Sequence, residues 1–355
     1  MCIYYIERPE LNYKKQEHII PAGIGGVLKL PKGYVSDEFN NDISKLEMEF
    51  FREGILSMPR QIFGPGKRGS LSENKATKSK VHLISGVHSK EQFALGYTSA
   101  GKVYEIPHLL WNTNTGESIF SFNKSYKEAE EVINEFQLKC KDADTLKIKI
   151  IITDKLPDDI AILGIQQGIE ENFDCFYACN EGNGYVINAE KIKKIGAGMT
   201  FSDSPKAEKY LPKAHLKANF KRDYFRIYGK IAFNFLAFEK GEEFVKHEQF
   251  DSVRNWIATG GEYDFVRIDN QSENPLLKVS IDLPKDAHFI YFTQSEQTLI
   301  SQIFLYGGYS VILLLSNALT KRVGTDVFIC DWRNRQEYKL AEYVEKFKGN
   351  LYCES

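Results

Sequence analysis

The sequence has no long apolar run. Its most apolar stretch, Ile303 to Leu315, is interrupted by Gly307-Gly308 and is too short for a helix that crosses a bilayer, so it reads as paired strands. Cysteine is sparse: six residues in 355, at positions 2, 140, 175, 179, 330 and 353, are too scattered for a disulfide framework and fit a reducing compartment. The first ten residues, Met1 to Glu10, have neither the basic start nor the apolar core of a signal peptide, which points to a cytoplasmic protein without a membrane partner. Net charge is small as well. The 46 Lys and Arg against 48 Asp and Glu give −2, which excludes a uniformly basic protein and leaves any nucleic-acid contact to a local patch. No phosphate-binding Gly-x-x-x-x-Gly-Lys-Ser/Thr loop occurs, and no internal repeat is detectable.

What is present is enough apolar material for a sizeable core: 43% of 355 residues is hydrophobic, and this length suits two or three domains. Cys2 to Ile6 is aromatic and β-branched, as in a strand, and Glu7 to Gln16 is polar and loop-like. A second short strand runs into His18-Ile19-Ile20, and Pro21 to Gly33 must turn repeatedly. Ser36 then caps a helix whose Phe39, Ile43, Leu46 and Phe50 fall at helical spacing. Asn40 lies in the first turns of that helix, so its amide can approach the end of the strand that carries Glu17 and His18. Neighbouring strand residues point to opposite faces, so Glu17 and His18 share a target only if the strand ends or bulges there.

Cys2-x-x-Tyr5, Glu17-His18-Ile19-Ile20-Pro21, Gly25-Gly26 and Asn40-Asn41 together resemble the HNH endonuclease superfamily over about the first sixty residues. The resemblance implies a ββα-metal module, with His18 as general base and with Glu17 and Asn40 as ligands of a divalent metal. Hard oxygen ligands of this kind favour Mg²⁺ or Mn²⁺, and phosphodiester hydrolysis needs a proton acceptor near neutrality beside positive charge. Many members also carry two Cys-x-x-Cys knuckles for a structural zinc. Here only Cys2 remains, with Tyr5, Ser36 and Phe39 at the other positions, so no zinc is expected and Tyr5 is expected to pack on Phe39 instead.

Between Arg60 and Lys80 six basic residues face one acidic residue, Glu73, and this is the strongest local charge asymmetry in the chain. Arg60, Lys67 and Arg68 are the candidate phosphate contacts, with a solvated linker as the alternative. Further on, Ser125 to Glu128 reads as a capping box ahead of Ala129, Val132, Ile133 and Phe136 at helical spacing. Leu146 to Ile152 alternates like a half-buried strand, and a helix is expected after Pro157. Cys175 and Cys179 read as buried strand residues, since no second ligand pair follows. Val279 to Leu283 and His288 to Thr293 read as strands, and Ile300 to Tyr306 pairs with Tyr309 to Leu315 in a hairpin whose turn draws positive φ from Gly307-Gly308. Tyr228 to Phe238 and Phe250 to Ile257 read as buried helices, and Lys339 to Lys348 as an amphipathic one.

The expected architecture is α+β: an HNH-like ββα-metal module over 1–63, a basic linker over 64–80, a central α+β domain over 81–205 and a C-terminal α+β domain over 206–355. The function expected from the resemblance is that of a divalent-metal-dependent nuclease acting on DNA, with RNA as a second substrate class, in defence or mobile-element biology. The C-terminal region would select the target or bind a protein partner. The alternative is a catalytically degenerate HNH-like protein that binds nucleic acid or takes part in assembly.

Overall fold

Ser36 opens the first helix as its composition requires: the hydroxyl accepts from the Phe39 backbone N–H at 3.2 Å and satisfies one free amide of the first turn. The helix, α1 (Asp37–Glu53), buries Phe39, Ile43, Phe50 and Phe51 and is followed by α2 (Ser57–Phe63). The computed structural model describes residues 2–86, 92–122, 129–168, 172–182, 186–199, 213–216, 218, 220–269 and 283–347. Helices and strands are both abundant, and the class is mixed α+β.

The expected ββα order is only partly present. Cys2 to Ile6 forms bends rather than a strand, because the Cys2 sulfur accepts from the Tyr4 N–H at 3.5 Å and folds the segment back on itself. His18 pairs with Lys29 in one isolated antiparallel bridge. The bridge is flanked by the hydrogen bonds Leu30 N–H to Glu17 carbonyl, 2.8 Å, and Ile19 N–H to Leu28 carbonyl, 3.0 Å. The turn between them runs through Gly25 at φ 104°, and a Cβ on Gly26 would collide with the Ile20 carbonyl oxygen.

Two compact units result: Met1–Thr77 with Ala218–Ser355, and Lys78–Lys217. Domain boundaries were expected at 63/64, 80/81 and 205/206, whereas the two units divide at 77/78 and 217/218. The N-terminal segment, however, is not a domain of its own, since its core is continuous with the C-terminal one.

In the second unit β1 (His82–Ser85), β2 (Phe93–Ser99) and β3 (Lys102–Glu105) form a four-stranded sheet with the short β9 (Lys213–Ala214) at its edge. β4 (His108–Asn112), β5 (Ser118–Ser121), β6 (Lys147–Ile152), β7 (Ile160–Gln167) and β8 (Phe173–Cys179) form a five-stranded sheet in the order β5-β4-β7-β8-β6. Alternation along β7 serves two cores. Leu163 and Ile165 pack with Phe136 and Cys140 of α3 (Ala129–Lys141) and Ile192 of α4 (Ala189–Gly198), while Ile162 packs with Leu83 and Leu95 of the other sheet. The helix expected after Pro157 is thus a strand, and the reason is burial on both faces, which allows a continuous apolar run. β6 is a strand as expected, but at the sheet edge its alternation does not hold: Ile150 and Ile152 are exposed. The Ser125–Glu128 capping box lies outside the described residues; Cys175 and Cys179 are buried on β8, as expected.

The first unit resumes with α5 (Phe225–Lys240), α6 (Glu242–Val245) and α7 (Asp251–Thr259). Its sheet contains β10 (Val266–Ile268), β11 (His288–Ser295), β12 (Thr298–Leu305), β13 (Tyr309–Ser316), β14 (Val327–Asp331) and β15 (Gln336–Lys339), all antiparallel in the order β10-β13-β12-β11-β14-β15. α8 (Leu340–Phe347) follows. The expected hairpin is β12–β13, with a shift in its turn: positive φ falls at Tyr306 (52°) and Gly307 (72°), not at both glycines. The expected strand at 279–283 lies outside the described residues except Leu283. α5 is the buried axis of this unit, with Phe235 stacked on Phe292 at 4.9 Å and 5.2 Å from Phe328. Among the described residues no helix is long and apolar enough to cross a membrane.

Candidate functional site

Inside the apolar run of α5 stand two polar residues one turn apart, Lys230 and Asn234, both buried. Residues at i and i+4 share a helix face, and this face meets Glu17 and His18. The Lys230 ammonium lies 2.7 Å from Glu17 Oε1 and 3.1 Å from Glu47 Oε2, with the lysine side chain 2% exposed and the carboxylates 14% and 20%. Burial works against the charge on Lys230, but Glu17 and Glu47 outweigh it and hold the pKa above the usual lysine value. Asn234 Nδ2 donates to the His18 carbonyl at 2.9 Å, and its Oδ1 accepts from the Tyr4 hydroxyl at 2.6 Å. Bridge, α1 and α5 are therefore tied at one point by an ion triad and a short hydrogen-bond chain.

The three sequence-derived centre residues differ in their engagement: Glu17 is paired with Lys230, the His18 carbonyl accepts from Asn234, and the Asn40 side chain is bonded to neither of them. His18 is half-buried, and burial lowers its pKa, as do the cations Lys29 and Lys230, against the opposing pull of Glu17. It is a neutral imidazole at pH 7. The Asn40 amide oxygen is buried without a hydrogen-bond partner, and no hydrogen bond joins Asn40 to Glu17 or His18. A shared divalent metal does not fit this arrangement, because Glu17 already faces a buried ammonium that would repel a second cation beside it. Among the described residues no group of three or more His, Cys, Asp or Glu has metal-binding geometry.

The four knuckle positions do come together. Cys2 Sγ accepts from the Ser36 N–H at 3.4 Å, and Tyr5 meets Phe39 edge-on at 5.6 Å between ring centroids, as expected. Tyr5 also donates to Asp42 Oδ2 at 2.7 Å, and Tyr4 stacks on Phe39 at 3.8 Å. One thiol, one engaged hydroxyl, a phenol and a phenyl ring are not a zinc donor set, and aromatic packing does the stapling here.

The basic stretch is only partly as expected. Arg60 is buried: it donates to the Phe51 carbonyl at 3.1 Å and lies over the Phe51 ring, with burial lowering its pKa. It is a packing residue, because α2 turns this side inward. Arg68 is exposed, in a 3₁₀ turn over Lys67–Gly69, and Lys75 is exposed in a second turn over Glu73–Lys75. The Lys67 side chain lies outside the described residues.

Sequence reasoning missed Lys230, Glu47, Asn234 and Tyr4. The signal was a lone lysine and a lone asparagine, four residues apart, in the otherwise apolar Tyr228–Phe238, since Lys is almost never fully buried unless paired. No protein-family model matches the chain, and no curated protein or solved structure matches it either.

Proposed function

We propose that this chain is a nucleic-acid-binding protein in which an HNH-like corner serves as a folded platform and no longer performs metal-dependent cleavage. The observation that carries the reading is the engagement of Glu17 by Lys230 at 2.7 Å: the carboxylate that the resemblance assigns to a metal is neutralised by the protein itself. The order of bridge, double-glycine turn and Ser36-capped helix, and the meeting of Cys2, Tyr5, Ser36 and Phe39, support the resemblance. Exposed Arg68 and Lys75 are the phosphate contacts of this reading, with DNA preferred over RNA. The test is binding of duplex DNA across a salt series, with supercoiled plasmid incubated in parallel with Mg²⁺, Mn²⁺ or chelator. Salt-dependent binding, with a shallower slope in Arg68→Ala/Lys75→Ala and no nicking, is the expected result. Metal-dependent nicking that disappears in His18→Ala would replace this reading with a nuclease.

That nuclease is the second reading, and a specific observation favours it: His18 is half-buried and neutral, the form that a general base requires.

A further inference from the structure

The five-stranded sheet of the second unit ends at β6, and among the described residues β6 has a strand neighbour on one side alone, the parallel β8. The direction of its backbone groups follows from that pairing. The Thr153 N–H donates to the Cys179 carbonyl at 3.1 Å, and Ile152 stands opposite Cys179 in the register. In a parallel pair alternate residues of one strand bond to the neighbour, and the residues between them turn their N–H and C=O away. Lys147, Lys149 and Ile151 therefore bond to β8, and Ile148, Ile150 and Ile152 present theirs at the free edge. The side chains of these three isoleucines share a face. On it Ile150 is 60% and Ile152 53% exposed, and Ile148 packs at the margin of the core shared with α3 and α4.

An edge strand is ordinarily guarded against further pairing by a charge, a proline or a bulge. β6 contains no proline, and its register runs unbroken from Lys147 to Ile152. Its central cation is drawn off the edge, because the Lys149 ammonium lies 2.6 Å from Asp174 Oδ2 and over the Phe176 ring, both on β8. Lys147 guards only the end of the strand. Charge then decides which strand fits. An antiparallel copy of β6 about a two-fold axis at Ile150 sets Ile150 opposite Ile150, Ile148 opposite Ile152, Lys149 opposite Ile151 and Lys147 opposite Thr153. Every pair of outward residues then exchanges two backbone hydrogen bonds, the isoleucines of both copies join in one stripe, and no lysine meets a lysine. An axis at Lys149 instead sets the two Lys149 side chains against each other at the close, non-hydrogen-bonded spacing. An axis at Ile151 sets Ile148 opposite Asp154, beyond the end of the strand.

We propose that this chain forms a two-fold dimer in which β6 of one copy pairs antiparallel with β6 of a second copy, centred on Ile150, and joins the two five-stranded sheets into one. The contact is isologous, so it closes on itself.

The test is sedimentation equilibrium of the full chain from about 1 to about 100 µM, the range of a small, weak contact. Nucleic acid is left out, so the outcome is independent of the proposed function. Wild type should pass from 40.7 kDa toward twice that mass. Ile150 is exposed in the single chain, so Ile150→Lys and Ile150→Glu should match the circular dichroism of wild type. Each should raise the dissociation constant about tenfold or more, because like charges then stand opposite each other. An equimolar mixture of the two should recover the dimer, since lysine meets glutamate across the axis. Ile150→Pro should also stay monomeric: proline is tolerated where the N–H faces outward, and it removes the central pair of hydrogen bonds. A wild type that remains at 40.7 kDa throughout would overturn the proposal. So would a dimer indifferent to both charged variants, a mixture that fails to restore a lost dimer, or open-ended polymers, which head-to-tail pairing of β6 with the β5 edge would produce. If a charged variant does not fold, Ile150→Pro takes its place: loss of the wild-type dimer supports the proposal and its retention refutes it.

Discussion

The segment from Cys2 to Ser36 and the hairpin β12–β13 belong to one unit and feed one core, yet they are held in opposite ways. The hairpin pairs over seven positions from Leu299 to Leu305 with one register shift, and its order follows from local alternation. The N-terminal segment has a single bridge, and besides its contacts with α1 it is held by partners more than 200 residues away: Lys230, Asn234, and Glu337, whose carboxylate accepts from the Val27 N–H at 2.9 Å and from the Leu28 N–H. Its internal hydrogen bonds are turn and loop bonds around one bridge rather than a strand ladder, so the remote partners contribute to offsetting its conformational entropy. It shares its core with the C-terminal part of the unit, so the corner around Glu17 and His18 is not an independent module.

The severest way to break this comparison is to cut the N-terminal segment from α5. In metal-free buffer Lys230→Met should lower unfolding free energy by roughly 3–5 kcal/mol, because it leaves buried charge uncompensated; urea unfolding measures it. Amide exchange should rise first at Ile19 and Leu30 and last in β12. Uniform acceleration across both regions would mean that they unfold as one.

Acid tests the joint between the two regions. His288 is fully buried, with Nε2 donating to the Ile24 carbonyl at 2.9 Å and Nδ1 accepting from the Tyr306 N–H at 2.9 Å. Burial pushes its pKa down to about 4. The unfolded chain takes up a proton near pH 6.5 and the folded chain does not, so this contribution is intact above that pH and is lost as pH falls from 6.5 toward 4. The loss is about 3 kcal/mol at 1.36 kcal/mol per pKa unit. His288→Gln, less stable at neutral pH, should show a flatter dependence over that window. An unchanged slope would assign the acid sensitivity to other groups.

The same contrast explains what was legible in the sequence. The Ser36 cap, the spacing of Phe39, Ile43 and Phe50, and the hairpin are local patterns, and all are present. The site was less legible because its partners are remote. Glu17 and His18 stood out by spacing, but nothing near them announces Lys230, and the lysine is visible only as an exception to the apolar pattern of its own helix. Arg60 misleads for a related reason: counting charge between 60 and 80 ignores which side of α2 faces inward. The strand at Ile160 was missed because a run buried on both faces has no two-residue period to detect.

A milder cut acts on the knuckle corner. Cys2→Ala removes the sulfur that accepts from the Ser36 and Tyr4 amides, and leaving buried donors unpaired costs about 1–3 kcal/mol. Chemical denaturation of the variant measures the loss. An effect below about 0.5 kcal/mol, the range of ordinary surface changes, would mean that the Tyr5–Phe39 packing carries this corner without the sulfur.

The smallest effect sharpens the other side of the comparison. If the hairpin is specified locally, its turn should respond to backbone preference residue by residue. Gly307 has φ 72° and Gly308 does not share that conformation, although an added Cβ meets only ordinary contact distances at the first and open space at the second. Neither position is crowded enough to forbid a Cβ, so conformation is the main difference between them. Gly307→Ala should cost about 1 kcal/mol, the penalty for an L-residue in the left-handed region. Gly308→Ala should be neutral or slightly stabilising, because it restricts only the unfolded chain. Equal costs at the two positions would show that the turn is imposed by the Gly307 N–H bond to the Ala287 carbonyl at 3.1 Å, and the hairpin would then depend on its neighbours as the N-terminal segment does.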